Sequence, residues 1–165
     1  MSVSVESLGR LAGAVPVVVR VIVGGMMFFH GLDKLDRGPA GFGDFLASEG
    51  VPLGELMGWV VSFLELGGGL MLVLGLLSRA IALLLTVELV FAIIIVSAAN
   101  GLIGEDGVGY ERDLAYIAGF ITVALLGPGR PSADHALGLE HATPVLTEAA
   151  PSAPLNPGRS ARPEN

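Results

Sequence analysis

Four apolar runs fill residues 11–29, 55–77, 80–99 and 114–126, and they take up more than half of the first 130 residues. About 20 apolar residues cross a typical hydrocarbon core. In lipid every backbone polar group needs an internal partner, so helices are the simplest solution. The pattern therefore predicts an all-α chain: a transmembrane four-helix bundle. The fourth run is short, and it is extended backward by residues 110–113. The chain is 52% hydrophobic and 15% charged, which is too apolar for an ordinary soluble domain. Its 24 glycines suit helices that approach closely in a membrane.

Runs two and three are separated only by Ser78 and Arg79, which predicts a tight helical hairpin. Runs one and two are joined by residues 31–54. Within that loop, residues 40–48 carry Phe42, Phe45 and Leu46 at spacings of three and four, the pattern of a short amphipathic helix at the interface. Gly50 and Pro52 end it. After residue 126 comes Gly-Pro-Gly-Arg-Pro, a helix stop. Two units are expected: residues 1–130 as the membrane domain, and residues 131–165 as a polar, Pro-rich cytoplasmic tail. The tail is expected to be disordered from about Thr143. A short helix over residues 133–141 stays open.

An even number of crossings puts both termini on one side. That side carries Arg10, Arg79 and Arg130, with Arg159 and Arg162 in the tail; the other carries Lys34, Arg37 and Arg112. The positive-inside rule then places both termini in the cytoplasm, in a multi-pass protein of the cytoplasmic membrane.

Charges inside the runs carry the functional signal. Arg20, Glu65 and Glu88 each lie within a membrane-length segment. A charge at the bilayer centre costs about 2.5–3.5 kcal/mol on insertion scales, so such groups face a bundle interior and pair. Counted from the cytoplasmic ends at about 1.5 Å per residue, Arg20 lies about 13–14 Å deep, Glu88 about 12 Å and Glu65 about 18 Å. The expectation is one buried charge cluster, with Arg20 bonded to Glu65 or to Glu88. One arginine cannot neutralise two carboxylates. The surplus acid must be protonated or must meet water, a cation or a ligand. The plainer alternative is that an Arg–Glu pair only fixes how helices dock.

A second polar group is expected at the outer face, where His30 ends the first run, Lys34 follows one turn later, and Glu111, Arg112 and Asp113 open the fourth. His30, Lys34 and Glu111 would form a polar mouth above Glu65, or would be ordinary interfacial charges. Gly67, Gly68 and Gly69 follow Glu65 directly and predict close packing against the first helix.

The composition also excludes classes. With no cysteine there is no disulfide, no thiol redox chemistry and no covalently attached haem. His30 is the only histidine at membrane depth, so one chain cannot supply a bis-histidine haem, and no metal site is expected. No basic patch suggests nucleic acid. Ser62, Ser97 and Thr86 have no adjacent histidine to activate them.

Several ordered segments together resemble the DoxX family of small bacterial membrane proteins. They are Arg20-Val21-Ile22, Phe29-His30-Gly31-Leu32-Asp33-Lys34-Leu35, Gly50-Val51-Pro52, Leu64-Glu65-Leu66-Gly67-Gly68-Gly69-Leu70, Leu74-Gly75-Leu76-Leu77-Ser78-Arg79, Gly109-Tyr110-Glu111, and Gly127-Pro128-Gly129-Arg130-Pro131-Ser132-Ala133-Asp134. The resemblance spans about residues 15–135. It implies a four-helix membrane bundle and carries over Arg20, Lys34, Glu65 and Glu111. Glu88 is less typical of the family pattern, and Ala133 stands where the family usually has a larger apolar residue. The resemblance further implies a membrane partner or anchor of an oxidoreductase complex, linked to a quinone and to thiosulfate or thiol and oxidative-stress chemistry. Its partners would be the lipid bilayer, redox proteins and, as an option, further copies of the chain. The competing readings are a small proton-coupled transporter and a non-catalytic membrane scaffold.

Overall fold

The computed structural model describes residues 13–104 and 109–139. Among them the chain is all-helical: α1 (Val15–Arg37), α2 (Pro39–Ser48), α3 (Gly54–Leu74), α4 (Ser78–Ile95), a 3-10 turn (Ser97–Asn100), α5 (Glu111–Leu126) and α6 (Ala133–Ala136). Three helices, α1, α3 and α4, are long and apolar enough to cross a membrane.

Helix α1 reaches eight residues past the apolar run, to Arg37, so His30 and Lys34 are helical rather than part of a loop. An Arg37–Asp33 pair at i,i+4 supports the added turns, and Gly38 at φ 92° ends them just before Pro39. Helix α2 follows immediately and matches the amphipathic segment expected over residues 40–48. It lies on α3 rather than free on a surface. A Cβ at Gly58 would strike the backbone at Pro39 and Gly43, so this crossing needs glycine.

The longest contact is α1 against antiparallel α3, and here too glycine sets the distance. A Cβ on Gly31 would fall on the Leu66 backbone, and one on Gly69 on the Phe28 backbone. Close backbone approach of this kind is how helices associate in lipid, where apolar burial alone gives little driving force. Of the three consecutive glycines, only Gly69 meets α1. Gly68 faces Ile81 and Leu85 of α4, and Gly67 has open space.

The α3–α4 turn is tight, as expected: Gly75 and Leu77 are left-handed, at φ 72° and 48°. Helix α5 packs on α4 and α1. Met27, Leu72, Leu85, Phe120 and Val123 are almost wholly buried at the centre. Outward, Ile22, Phe63, Leu74, Leu84, Val87, Phe91, Ile94 and Leu125 stay exposed. An apolar exterior of this extent belongs to a membrane protein. Residues 131–139 fold back onto the helices. The stretch expected to be disordered, from about Thr143, lies outside the described residues.

Candidate functional site

The buried charges fall into two groups at opposite ends of the helices. Arg20 is 3% exposed and sits among the last residues of α3. Its Nη1 donates to Leu72 O at 3.0 Å and Val73 O at 2.6 Å, and its Nη2 donates to Pro131 O. The expected pairing of Arg20 with Glu65 or Glu88 is therefore corrected. Helical side chains tilt toward the N-terminus of their own helix. Because α1 and α3 run antiparallel, Arg20 leans toward the C-terminal end of α3, seven or more residues from Glu65, about 10 Å along the axis. There a cation meets the carbonyls of the last helical turn and the negative end of the helix dipole. The depth estimate failed because it gave height along the bundle and no direction.

Asp134, 3% exposed, completes this end. Its Oδ1 accepts from Leu77 N at 2.6 Å and its Oδ2 from Ser78 N at 2.9 Å, so it caps the start of α4. Its own amide donates to Gly75 O at 2.8 Å. Arg79 Nη1 donates to Ala124 O and Leu125 O at the end of α5, at 2.5 and 2.9 Å. These groups staple helix ends, and their work is structural.

The opposite end holds a pocket of about 130 Å³ between α1, α2, α3, α4 and α5. Lys34 tilts back along α1 by the same rule that lowers Arg20, and its Nζ donates to Glu65 Oε2 at 2.5 Å. The Glu65 side chain is only 5% exposed, that of Lys34 19%. The ammonium also lies 5.1 Å from the Phe42 ring centroid, a cation–π contact supplied by α2. His30, one turn before Lys34, has Nε2 3.3 Å from Tyr116 Oη, the rings meeting edge to face.

Helix α5 provides the far wall. Asp113, 1% exposed, accepts from Arg112 Nε and Nη2 at 3.1 and 3.0 Å through Oδ1. Its Oδ2 accepts from Ser97 Oγ at 2.7 Å. Glu88, on α4, lines the same pocket, and its Oε2 is buried without a hydrogen-bond partner.

The structure thus brings together Glu65, Glu88, His30 and Lys34, and it separates Arg20 from them. Glu111 is exposed and does not line the pocket; Arg112, Asp113 and Tyr116 do. The expected mouth therefore needs correcting at Glu111, which lies on the outer face of α5. The buried face runs Asp113, Phe120, Val123, at steps of seven and three. That periodicity is visible in the sequence and marks Asp113 as the inward acid.

The DoxX family model matches residues 15–98, which include His30, Lys34, Glu65 and Glu88. The chain belongs to the DoxX family. It is also 34% identical over 110 residues to "Putative oxidoreductase CatD" of Bacillus subtilis strain 168, across 67% of this chain and 77% of that protein. No solved structure matches it. The DoxX match ends before α5, so the Arg112, Asp113 and Tyr116 wall lies beyond it.

Proposed function

We propose that this DoxX protein is a membrane-embedded subunit or anchor of an oxidoreductase complex, and that its pocket receives the ring of a quinone. One observation carries the reading: the largely buried Lys34–Glu65 pair stands beside Glu88, whose buried Oε2 has no hydrogen-bond partner among the described residues, in a small cavity among apolar helices. Such groups are expensive at membrane depth and mark functional sites. The likeness to a relative named as an oxidoreductase supports the redox direction.

The residues present suit a quinone ring. A cavity of roughly 150 Å³ takes benzene, and this pocket of about 130 Å³ is near that size, so a ring would sit partly in it, with its substituents and any isoprenoid chain left toward lipid. Lys34 and Tyr116 offer donors to ring oxygens, and Phe42 and Phe45 offer aromatic walls. When bound, a quinone would supply two-electron, two-proton chemistry. This chain would orient the ring through Lys34, hold Lys34 in place through Glu65, exclude water with Met27 and Leu89, and exchange protons through Glu88 and His30. Electrons would arrive from a partner protein that oxidises thiosulfate or thiols.

In this reading α5 is the fourth crossing, α2 lies at the outer interface and both termini face the cytoplasm of a bacterial cell. The test is purification from native membranes with quinone quantification in the extracted lipid. Near-stoichiometric quinone that is lost in Lys34→Met is expected. Protein without quinone, together with undiminished thiosulfate- or thiol-linked quinone reduction in a deletion strain, would refute the proposal. Partnerless Glu88 also favours a proton-coupled carrier; proton-driven uptake in vesicles that Glu65→Gln leaves unchanged would count against that second reading.

A further inference from the structure

The hydrogen-bonding capacity of the pocket is unevenly matched. Lys34 gives one of its three protons to Glu65. Arg112 directs Nε and Nη2 to one oxygen of Asp113, and Ser97 satisfies the other. Two cations thus stand against two carboxylates, Glu65 and Asp113. Glu88 is a third carboxylate, and nothing donates to its buried Oε2 among the described residues.

A buried acceptor left without a donor is costly, and more so when charged. A ligand that brings a hydrogen-bond donor to Glu88 removes that cost. An oxidised quinone ring has only acceptor oxygens. A reduced ring has hydroxyls that donate to Glu88 on one side while the opposite oxygen accepts from Lys34 or Tyr116.

We propose that the pocket selects the reduced, dihydroxy form of its ring ligand over the oxidised form, with Glu88 in its ionised state as the acceptor that discriminates between them. The inference rests on the quinone reading above and assigns Glu88 a specificity role within it. Linkage gives the consequence: a site that holds the quinol more tightly than the quinone makes reduction of the bound quinone more favourable by the same factor. The site is then tuned to receive electrons.

The experiment uses the full chain in lipid nanodiscs under anaerobic conditions, with decylubiquinone and its chemically reduced quinol as probes. Dissociation constants are measured by equilibrium dialysis for wild type, Glu88→Gln and Glu88→Leu. Wild type is expected to prefer the quinol about tenfold, equal to about 1.4 kcal/mol. Glu88→Gln, near-isosteric and able to donate to a carbonyl, reduces that preference below about threefold and leaves quinone affinity equal or higher. Glu88→Leu abolishes the preference. Equal binding of both forms by wild type, or a tenfold preference that survives in both variants, overturns the inference while the quinone reading stands. Failure of wild type to bind either form overturns both. The thermal midpoint of each variant checks its folding, and Glu88→Gln keeps the test open if Glu88→Leu does not fold.

Discussion

Lys34 Nζ donates to Glu65 Oε2 across 2.5 Å, which ties the C-terminal third of α1 to the middle of α3. The pair holds the pocket wall in place, and each member depends on the other to stay buried. Lys34→Met should leave Glu65 stranded and cost about 1–3 kcal/mol, below the 3–5 kcal/mol typical of a fully buried pair because Lys34 keeps some access to water. Lys34→Met combined with Glu65→Leu should recover most of that loss. Unfolding in mixed micelles would measure all three variants, and equal losses in the single and double variants would contradict the coupling.

Glycine contacts on α1 and α3 should separate sharply by position. Gly31→Ala and Gly69→Ala each place a methyl against opposing backbone, which cannot rotate away. A loss of about 1–3 kcal/mol is expected from overpacking. Gly25→Ala and Gly67→Ala meet nothing within 4 Å and should be neutral, or stabilising by up to about 1 kcal/mol through helix propensity. The same micelle unfolding assay ranks the four.

Arg20 and Asp134 should act as one unit at the other end. Arg20→Met removes three hydrogen bonds to carbonyls, one of them on Pro131, at a cost of about 2 kcal/mol or more. Asp134→Ala removes both caps on α4, at about 0.5–2 kcal/mol. Both should free residues 128–139 from the helices, so limited proteolysis should cut there in either variant and not in wild type. The double variant should lose less than the sum of the singles, since each releases what the other holds.

The absence of native cysteine allows a direct check of sidedness. Asp36 and Leu137 are exposed near opposite ends of the helices. In intact cells a membrane-impermeant maleimide should label Asp36→Cys and spare Leu137→Cys; after lysis both should react. Labelling of Leu137→Cys alone in intact cells would invert the proposed orientation.

Apolar run length and turn chemistry made much of the fold legible in the sequence. The α3–α4 hairpin, the Pro39–Ser48 helix and the placement of Glu65 and Glu88 within long apolar helices all follow from them. Helix α1 outruns its apolar stretch because residues 31–37 hold four charges, and hydropathy marks the end of an apolar run rather than the end of a helix. The Asp33–Arg37 spacing and Gly38-Pro39 were the local signals of the true end. Depth along a run does not show side-chain tilt, which sets the partners of Arg20, and chain order alone does not show which face of α5 turns inward, which leaves Glu111 outside. Asp134 left no local trace, because its partners at positions 77 and 78 are 57 and 56 residues away.

That distance bears on biosynthesis. The first amides of α4 find their carboxylate only after Asp134 has been translated, 39 residues beyond the end of that helix at Ile95. A nascent chain halted before that residue would insert with the corner at Leu77 and Ser78 unsecured, so the hairpin can tighten only once the segment beyond α5 has been made.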